Sequence, residues 1–346
     1  MDIKTLQNLA EVAAYKTEPR RRLFSANHEE IARGLTTDIY FIRTREILRH
    51  MGLEKTQVTA EIFTGGSGVL AGTTEVKNLL AGLPVEVWAL PEGAQIEEKQ
   101  VVMRITGAYD VFGIYETAVL GALASSSGWA TAARRCREAA RDKRVVCFGA
   151  RHVHPAVAPV MERAAIIGGA DGASCILGAK LAGQEPLGTV PHAVMLIVGD
   201  TVEVARVYQQ IMPPDAPVII LVDTFKDEAE ESLRVAEALG DKLQGVRLDT
   251  AGERGGVTPG LVREVMARLA QAGYPQVKIF VSGGITPERI PLLIEAGADA
   301  FGVGSYISGA RAIDMTMDIK AVNGRPVAKR GRIPGLTDAP DLQRII

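Results

Sequence analysis

The chain has 346 residues, 47% apolar and 23% charged, with 39 basic against 41 acidic side chains and a net charge of −2. That length allows one large or two ordinary domains with ample core, and the near-neutral balance excludes a global basic field for nucleic acid. No apolar run approaches the ~20 residues of a membrane span, and the opening stretch MDIKTLQNLAEVAAYK carries charge too early for the apolar core of a signal peptide. Cys136, Cys147 and Cys175 form neither a CxxC pair nor a zinc spacing. A cytoplasmic protein with reduced thiols is expected, with no membrane and no nucleic acid as partner.

Residues 1–50 begin polar and basic, then turn helical. Arg20-Arg21-Arg22 reads as a solvated surface run, or else as a contact to a phosphate-bearing ligand or a neighbouring subunit. TTDIYFIRTREILRHMG places Asp38, Tyr40 and Phe41 at the start of a helix ending near Gly52, with Thr36 or Thr37 as its cap. From Gln57 to Tyr109 the pattern becomes short alternating strands and turns, with a Pro-Glu-Gly turn between two strands in VEVWALPEGAQIEEKQVVMRITGAY. A helix over about 114–123 follows, a second begins in SSSGWATAARRCREAA, and the domain boundary is expected at Ser125 to Gly128.

The second region opens with a helix at 129–141 and the strand VVCFGAR, followed by a helix over 156–167, the run GGADG, and GTVPHA with His192 opening another helix. Four repeats then take over, with apolar runs VIILVDTF, GVRLDT, KIFVSGG and AFGVGS alternating with helical spacings at 227–239, 258–272 and 286–296. Apolar runs alternating with amphipathic helices describe βα units feeding a parallel sheet. After Ser308 that rhythm stops, and Asn323-Gly324 marks an antiparallel hairpin returning to the first domain's sheet. The expected fold is α/β: an incomplete TIM-like β/α barrel over 128–310, beside a smaller α/β sandwich domain over 1–127 completed by 311–346.

In such a barrel the strand C-termini share one face, and chemistry sits there. Asp223-Thr224 and Asp249-Thr250 occupy equivalent strand ends, and Arg247 stands two residues before the second pair. These aspartates either cap the following helices or hold Mg²⁺, which takes one or two protein carboxylates plus substrate oxygens. Ser282-Gly283-Gly284 and Gly302-Val303-Gly304-Ser305 are small-residue loops able to aim backbone N–H groups at a phosphate. Thr286-Pro287 marks the start of the intervening helix. Arg151, three residues after Phe148, suits a flat aromatic acid, with a surface salt bridge as the plainer alternative. His152, His154 and His192 lack the HExxH spacing that would argue for zinc.

Taken in order, TDIYF, FGAR…HP, IIGGADGAS, GTVPHA, VDTF, VRLDT, VSGGI and FGVGS resemble the nicotinate phosphoribosyltransferases from about Thr37 to Lys329. LPEG…VMRITGAY…YETAVLGALASSSGWAT also resembles the related quinolinate phosphoribosyltransferases, which share the type II fold. The resemblance implies transfer of phosphoribose from phosphoribosyl pyrophosphate to nicotinate. It further implies that Phe148 and Tyr40 sandwich the ring, with Tyr40 coming from a neighbouring subunit of a homodimer or larger homo-oligomer. Arg151 would hold the carboxylate, with Asp171 on the same nicotinate side. Asp223, Arg247 and Asp249 would face ribose, Mg²⁺ and pyrophosphate, with Thr224, Ser282, Gly283, Gly284, Gly302, Gly304 and Ser305 on the phosphates. His192 matches a histidine that the family phosphorylates from ATP, so ATP is an expected co-substrate. Some relatives carry a cysteine-rich metal knuckle beyond this point, and none stands in this chain, so no zinc is expected. The alternatives are quinolinate as the substrate, a phosphate-binding barrel isomerase or aldolase, and a non-catalytic ligand sensor. His152 beside Arg151, in place of a second permanent cation, favours the monocarboxylate.

Overall fold

A computed structural model describes residues 5–346. The first four residues of the expected N-terminal domain, and of the opening stretch read for a signal peptide, lie outside the described residues. The strands, in chain order, are β1 (Gln57–Thr64), β2 (Gly68–Val69), β3 (Val85–Ala89), β4 (Gln95–Ile96) and β5 (Val101–Ala108). They continue as β6 (Arg144–Cys147), β7 (Gly172–Ala173), β8 (Ile219–Leu221), β9 (Gly245–Leu248), β10 (Lys278–Val281) and β11 (Ala300–Val303). The last three are β12 (Met315–Val322), β13 (Arg325–Pro326) and β14 (Gln343–Arg344). The chain divides into two compact units, one of residues up to Thr131 with Arg311–Ile346, the other of Ala132–Ala310.

The first unit holds a six-stranded sheet of order β13-β12-β1-β5-β3-β14. Along β5 Val101, Val102 and Met103 are all buried and alternation then buries Ile105, and β1 pairs antiparallel with both β5 and β12. Asn323 and Gly324 turn β12 into β13 at φ of 47° and 76°, which is the left-handed geometry that Asn-Gly adopts in a two-residue hairpin. Between the arms of the Pro-Glu-Gly segment the chain inserts β4, which pairs with β2 in a separate two-stranded sheet.

One expectation fails here: the two helices around Ser125–Gly128 are a single helix, Glu116–Ala140. The Ser-Ser-Ser-Gly run is a packing feature, not a break. Ser126 and Ser127 are buried, and the Ser127 hydroxyl accepts from the Ala71 amide. A Cβ on Gly128 would stand 2.3 Å from the Arg311 carbonyl oxygen. Small residues let other backbone approach the helix. A second expectation also shifts: the helix Ile39–His50 takes Asp38 as its first cap, without a side-chain cap bond, because that carboxylate meets the Thr117 hydroxyl instead.

The second unit is built on a parallel sheet of six strands, order β7-β6-β11-β10-β9-β8. It is an open, partial barrel, and its strands bury apolar side chains such as Val145, Ile220, Val246, Ile279 and Phe301, as expected where helices cover the faces of a parallel sheet. The helices between strands start on side-chain caps: Asp200 for Thr201–Ile211, Asp227 for Glu228–Leu239, and Thr258 for Pro259–Gln271. Thr286-Pro287 instead forms a preliminary turn whose Thr286 carbonyl accepts from Arg289 and Ile290, and the regular helix runs Arg289–Ala296. Because all six strands run the same way, the loops at their C-terminal ends meet at one edge.

Candidate active site

A cleft of about 440 Å³ opens at that edge, entirely within the second unit. Phe148, Arg151, His152, Ser174, Thr189, His192, Arg247, Asp249, Ser282–Gly284, Gly302, Gly304 and Ser305 line it. Most of the residues named from sequence line this cleft; Asp223, followed by Thr224, joins it through its hydrogen bond to the lining His192, while Tyr40 and Asp171 are not brought there. Tyr40 belongs to the first unit, where it is 54% exposed. Asp171 directly precedes β7, and its carboxylate reaches the start of β6, accepting from the Val145 amide at 2.7 Å and from Arg137 at 2.7 Å. It therefore ties down the strand end opposite the cleft, a structural role and not a ligand-facing one.

Around β9 the charged groups are locked to one another. The Arg247 guanidinium donates to Ser282 Oγ at 3.0 Å, Thr189 Oγ1 at 2.7 Å and Asp249 Oδ2 at 2.8 Å. It also stands 5.7 Å above the Phe148 ring centroid, close enough for cation–π attraction. Phe148 meets Phe280 edge to face at 5.7 Å. Gly302 has no room for a side chain, because a Cβ there would lie 2.5 Å from the Phe148 ring. A Cβ on Gly304 would likewise meet the His152 ring at 2.8 Å. These two glycines seat the aromatic and imidazole rings.

Gly283 and Gly284 have φ of 84° and 61°, and a Cβ on Gly283 would stand 2.9 Å from Asp249 Oδ1. Left-handed backbone and close approach both require glycine there. Arg289, which sequence reading passed over, donates to the Gly284 carbonyl at 2.6 Å and the Val257 carbonyl at 2.6 Å, pinning this loop from outside.

His192 Nε2 lies 2.9 Å from Asp223 Oδ2. The Asp223 side chain is 3% exposed. Burial pushes its carboxyl above the usual range, the His192 hydrogen bond partly offsets this, and the Asp249 charge adds to the rise. Asp223 Oδ1 and Thr224 Oγ1 are buried without a hydrogen-bond partner. Orphaned buried oxygens of this kind call for a ligand or water. Two neighbouring carboxylates, one with a spare buried oxygen, fit a hard cation such as Mg²⁺ that completes its shell with waters and substrate oxygens. Among the described residues no group of three or more His, Cys, Asp or Glu side chains forms a closed metal cage.

Arg151 rides on a short 3₁₀ turn, Ala150–His152, directly after β6. It is exposed and makes no hydrogen bond or ion pair with another described residue. A permanent fork of N–H donors with no internal acceptor is suited to an incoming carboxylate. Ser174 and Thr189 also face the cleft and were missed from sequence. Thr189 stands in GTVPHA three residues before His192, and that motif was the available signal.

The fold and this site define a type II phosphoribosyltransferase-like α/β chain. Models of the quinolinate phosphoribosyl transferase N-terminal and C-terminal domains match residues 38–127 and 129–318, and the chain belongs to that family. A solved structure of nicotinate-nucleotide pyrophosphorylase from Pyrococcus furiosus superposes with a TM-score of 0.87 at 46% identity, over 91% of this chain and 82% of that one. Nicotinate phosphoribosyltransferase of Mycobacterium tuberculosis is 31% identical over 69% of this chain and 52% of its own length. Human nicotinate-nucleotide pyrophosphorylase (carboxylating) is 26% identical over 78% of this chain and 85% of its own. The chain spans about half the length of the curated nicotinate phosphoribosyltransferases that it matches. No helix among the described residues is long and apolar enough to cross a membrane.

Proposed function

We propose that the protein is a phosphoribosyltransferase of pyridine nucleotide (NAD) biosynthesis, moving phosphoribose from phosphoribosyl pyrophosphate to the ring nitrogen of a pyridine carboxylic acid. The observation that carries this reading is the pairing, in one cleft, of a cross-linked Arg247–Asp249–Ser282 group with an unpaired Arg151. The pyridine nitrogen attacks C1 of the ribose as pyrophosphate leaves, through an oxocarbenium-like state. Preorganised charge stabilisation of the leaving group is the main requirement of such a step. Arg247 neutralises departing charge, and the Gly283-Gly284 loop and Ser305 hold the sugar's phosphate. Phe148 gives the ring an apolar wall, and Arg151 holds its carboxylate. Asp223 and Asp249 are the residues that would hold Mg²⁺, which supplies charge neutralisation of the pyrophosphate oxygens when bound.

Two acids remain in play. Quinolinate is the one that the comparisons favour, since both matching domain models are quinolinate-type and the 46% identical structure is a nicotinate-nucleotide pyrophosphorylase. Transfer to quinolinate would also release its second carboxylate as CO₂. Nicotinate is favoured by charge: Arg151 is the one cleft-lining arginine without an internal partner among the described residues, which suits a monocarboxylate. ATP enters this second reading only, through transfer of a phosphoryl group to His192. Tyr40 of a second copy would close the ring site. Incubation with phosphoribosyl pyrophosphate, Mg²⁺ and either acid, with and without ATP, tests these readings. Pyrophosphate with CO₂ marks quinolinate, and ATP-stimulated pyrophosphate without CO₂ marks nicotinate. No pyrophosphate from either acid would rule the transferase out.

A further inference from the structure

Glu162 lies on the helix Ala158–Ile167 with no exposed surface, and none of the ion pairs among the described residues involves it. A carboxylate buried without a cation is costly unless hydrogen bonds satisfy it. Here the donors come from two loops far apart in sequence. Oε1 accepts from the Ala150 amide at 3.0 Å and the Ser174 hydroxyl at 3.1 Å, while Oε2 accepts from the Cys175 amide at 2.5 Å. Ala150 opens the 3₁₀ turn that carries Arg151, and Ala150, Arg151 and Ser174 all line the cleft. Cys175 is the cap of the helix Ile176–Leu181. That helix presses on Glu162 through Gly178, where a Cβ would stand 3.1 Å from the Glu162 Cβ and 3.2 Å from the Pro159 carbonyl. The carboxylate thus stands behind the cleft wall, holding the loops after β6 and β7 together.

We propose that Glu162 is a positioning residue for the acid-binding end of the cleft, fixing the turn that carries Arg151 against the loop of Ser174. This rests on the functional reading above, because it assigns Arg151 to the substrate carboxylate. The Arg247 group at the other end is held by Thr189, Asp249 and Ser282, none of which Glu162 touches, so loosening Glu162 leaves phosphoribosyl pyrophosphate binding in place. Glu162→Gln is close in volume but replaces one acceptor oxygen with an N–H₂ that must face an N–H donor, so one loop loses its anchor.

The test is steady-state kinetics of wild type, Glu162→Gln, Glu162→Asp and a same-helix control, Ala165→Gly. These are paired with hydrogen exchange at the Ala150 and Cys175 amides. The expected result for Glu162→Gln is about a tenfold rise in KM for the pyridine acid, KM for phosphoribosyl pyrophosphate within about twofold of wild type, and faster exchange at one or both amides. Glu162→Asp should recover part of the acid KM. Ala165→Gly should lower Tm by a few degrees with both KM values unchanged. Equal rises in both KM values, or an unchanged acid KM with the amides already exchanging fast, would overturn the positioning role alone. Failure of the wild type to turn over either acid would overturn the functional reading and this role with it.

Discussion

Side chains from β9, from the connection between β7 and β8 and from the ends of β8, β9 and β10 restrain each other, whereas the turn after β6 presents an arginine that makes no hydrogen bond or ion pair with another described residue. Arg247 spends its donors on Ser282, Thr189 and Asp249. Asp223 is held by His192. Arg151 has no such contact, and the turn beneath it is fixed from behind by Glu162. The difference corresponds to the two substrates. A sugar pyrophosphate develops charge as its bond breaks, and fixed dipoles stabilise that charge without reorganising at the moment of reaction. An acid that only has to be held and aligned needs one free fork of donors in the right place.

The largest effect should come from breaking the fixed end. Arg247→Ala removes three hydrogen bonds and leaves Asp249 beside Asp223 without its cation, so kcat/KM should fall on the order of 10²-fold or more. Steady-state assays varying phosphoribosyl pyrophosphate would show it, and a loss below about fivefold would count against a leaving-group role. At the free end, Arg151→Ala should lose about 1.5–3 kcal/mol of binding to the pyridine acid. The corresponding amide should bind wild type and variant alike in a competition assay. Equal losses for acid and amide would remove the carboxylate from the argument.

Two smaller predictions concern residues outside the cleft. Asp171→Asn should cost about 1 kcal/mol of stability, through the weakened Arg137 and Val145 contacts, and leave kcat/KM unchanged. Denaturant unfolding beside an activity assay would separate this from a ligand role. Glu116, in the first unit, has its carboxyl raised to about 7, chiefly by burial, with the Tyr109 hydrogen bond and Lys329 opposing and Asp318 adding to the rise. Below the ordinary value of 4.5 both folded and unfolded states carry the proton, so the group is neutral to stability there. Between that value and about 7 the unfolded chain ionises while the folded one does not, so the wild type loses stability as pH rises. Glu116→Gln should therefore gain on wild type across that window, by about 1–3 kcal/mol once solvent screening of a half-buried group is allowed for, and hold the gain above it. A pH-independent difference would show that Glu116 ionises normally.

The repeating strand ends were legible in sequence because each is local: VDT, RLDT and SGG each close an apolar run, and parallel strands deliver their C-terminal loops to one edge. The supporting residues were not legible. Glu162 and Arg289 sit on helices where a charged side chain ordinarily reads as a solvated face, and their partners come from other loops. The Ser125–Gly128 run signalled a linker by composition, yet its smallness serves the approach of the Ala71 and Arg311 backbone. Asp171 was drawn toward the substrate by the motif around it, and only its contact with the Val145 amide reveals which end of β6 it serves.

The division between a fixed sugar-phosphate end and a free acid end is tested most directly by calorimetric titration of phosphoribosyl pyrophosphate, with Mg²⁺, into wild type and Arg151→Ala. Dissociation constants within about twofold of each other are expected, since Arg151 would touch only the acid. A tenfold weakening in Arg151→Ala, about 1.4 kcal/mol, would contradict that division by placing Arg151 on the phosphates.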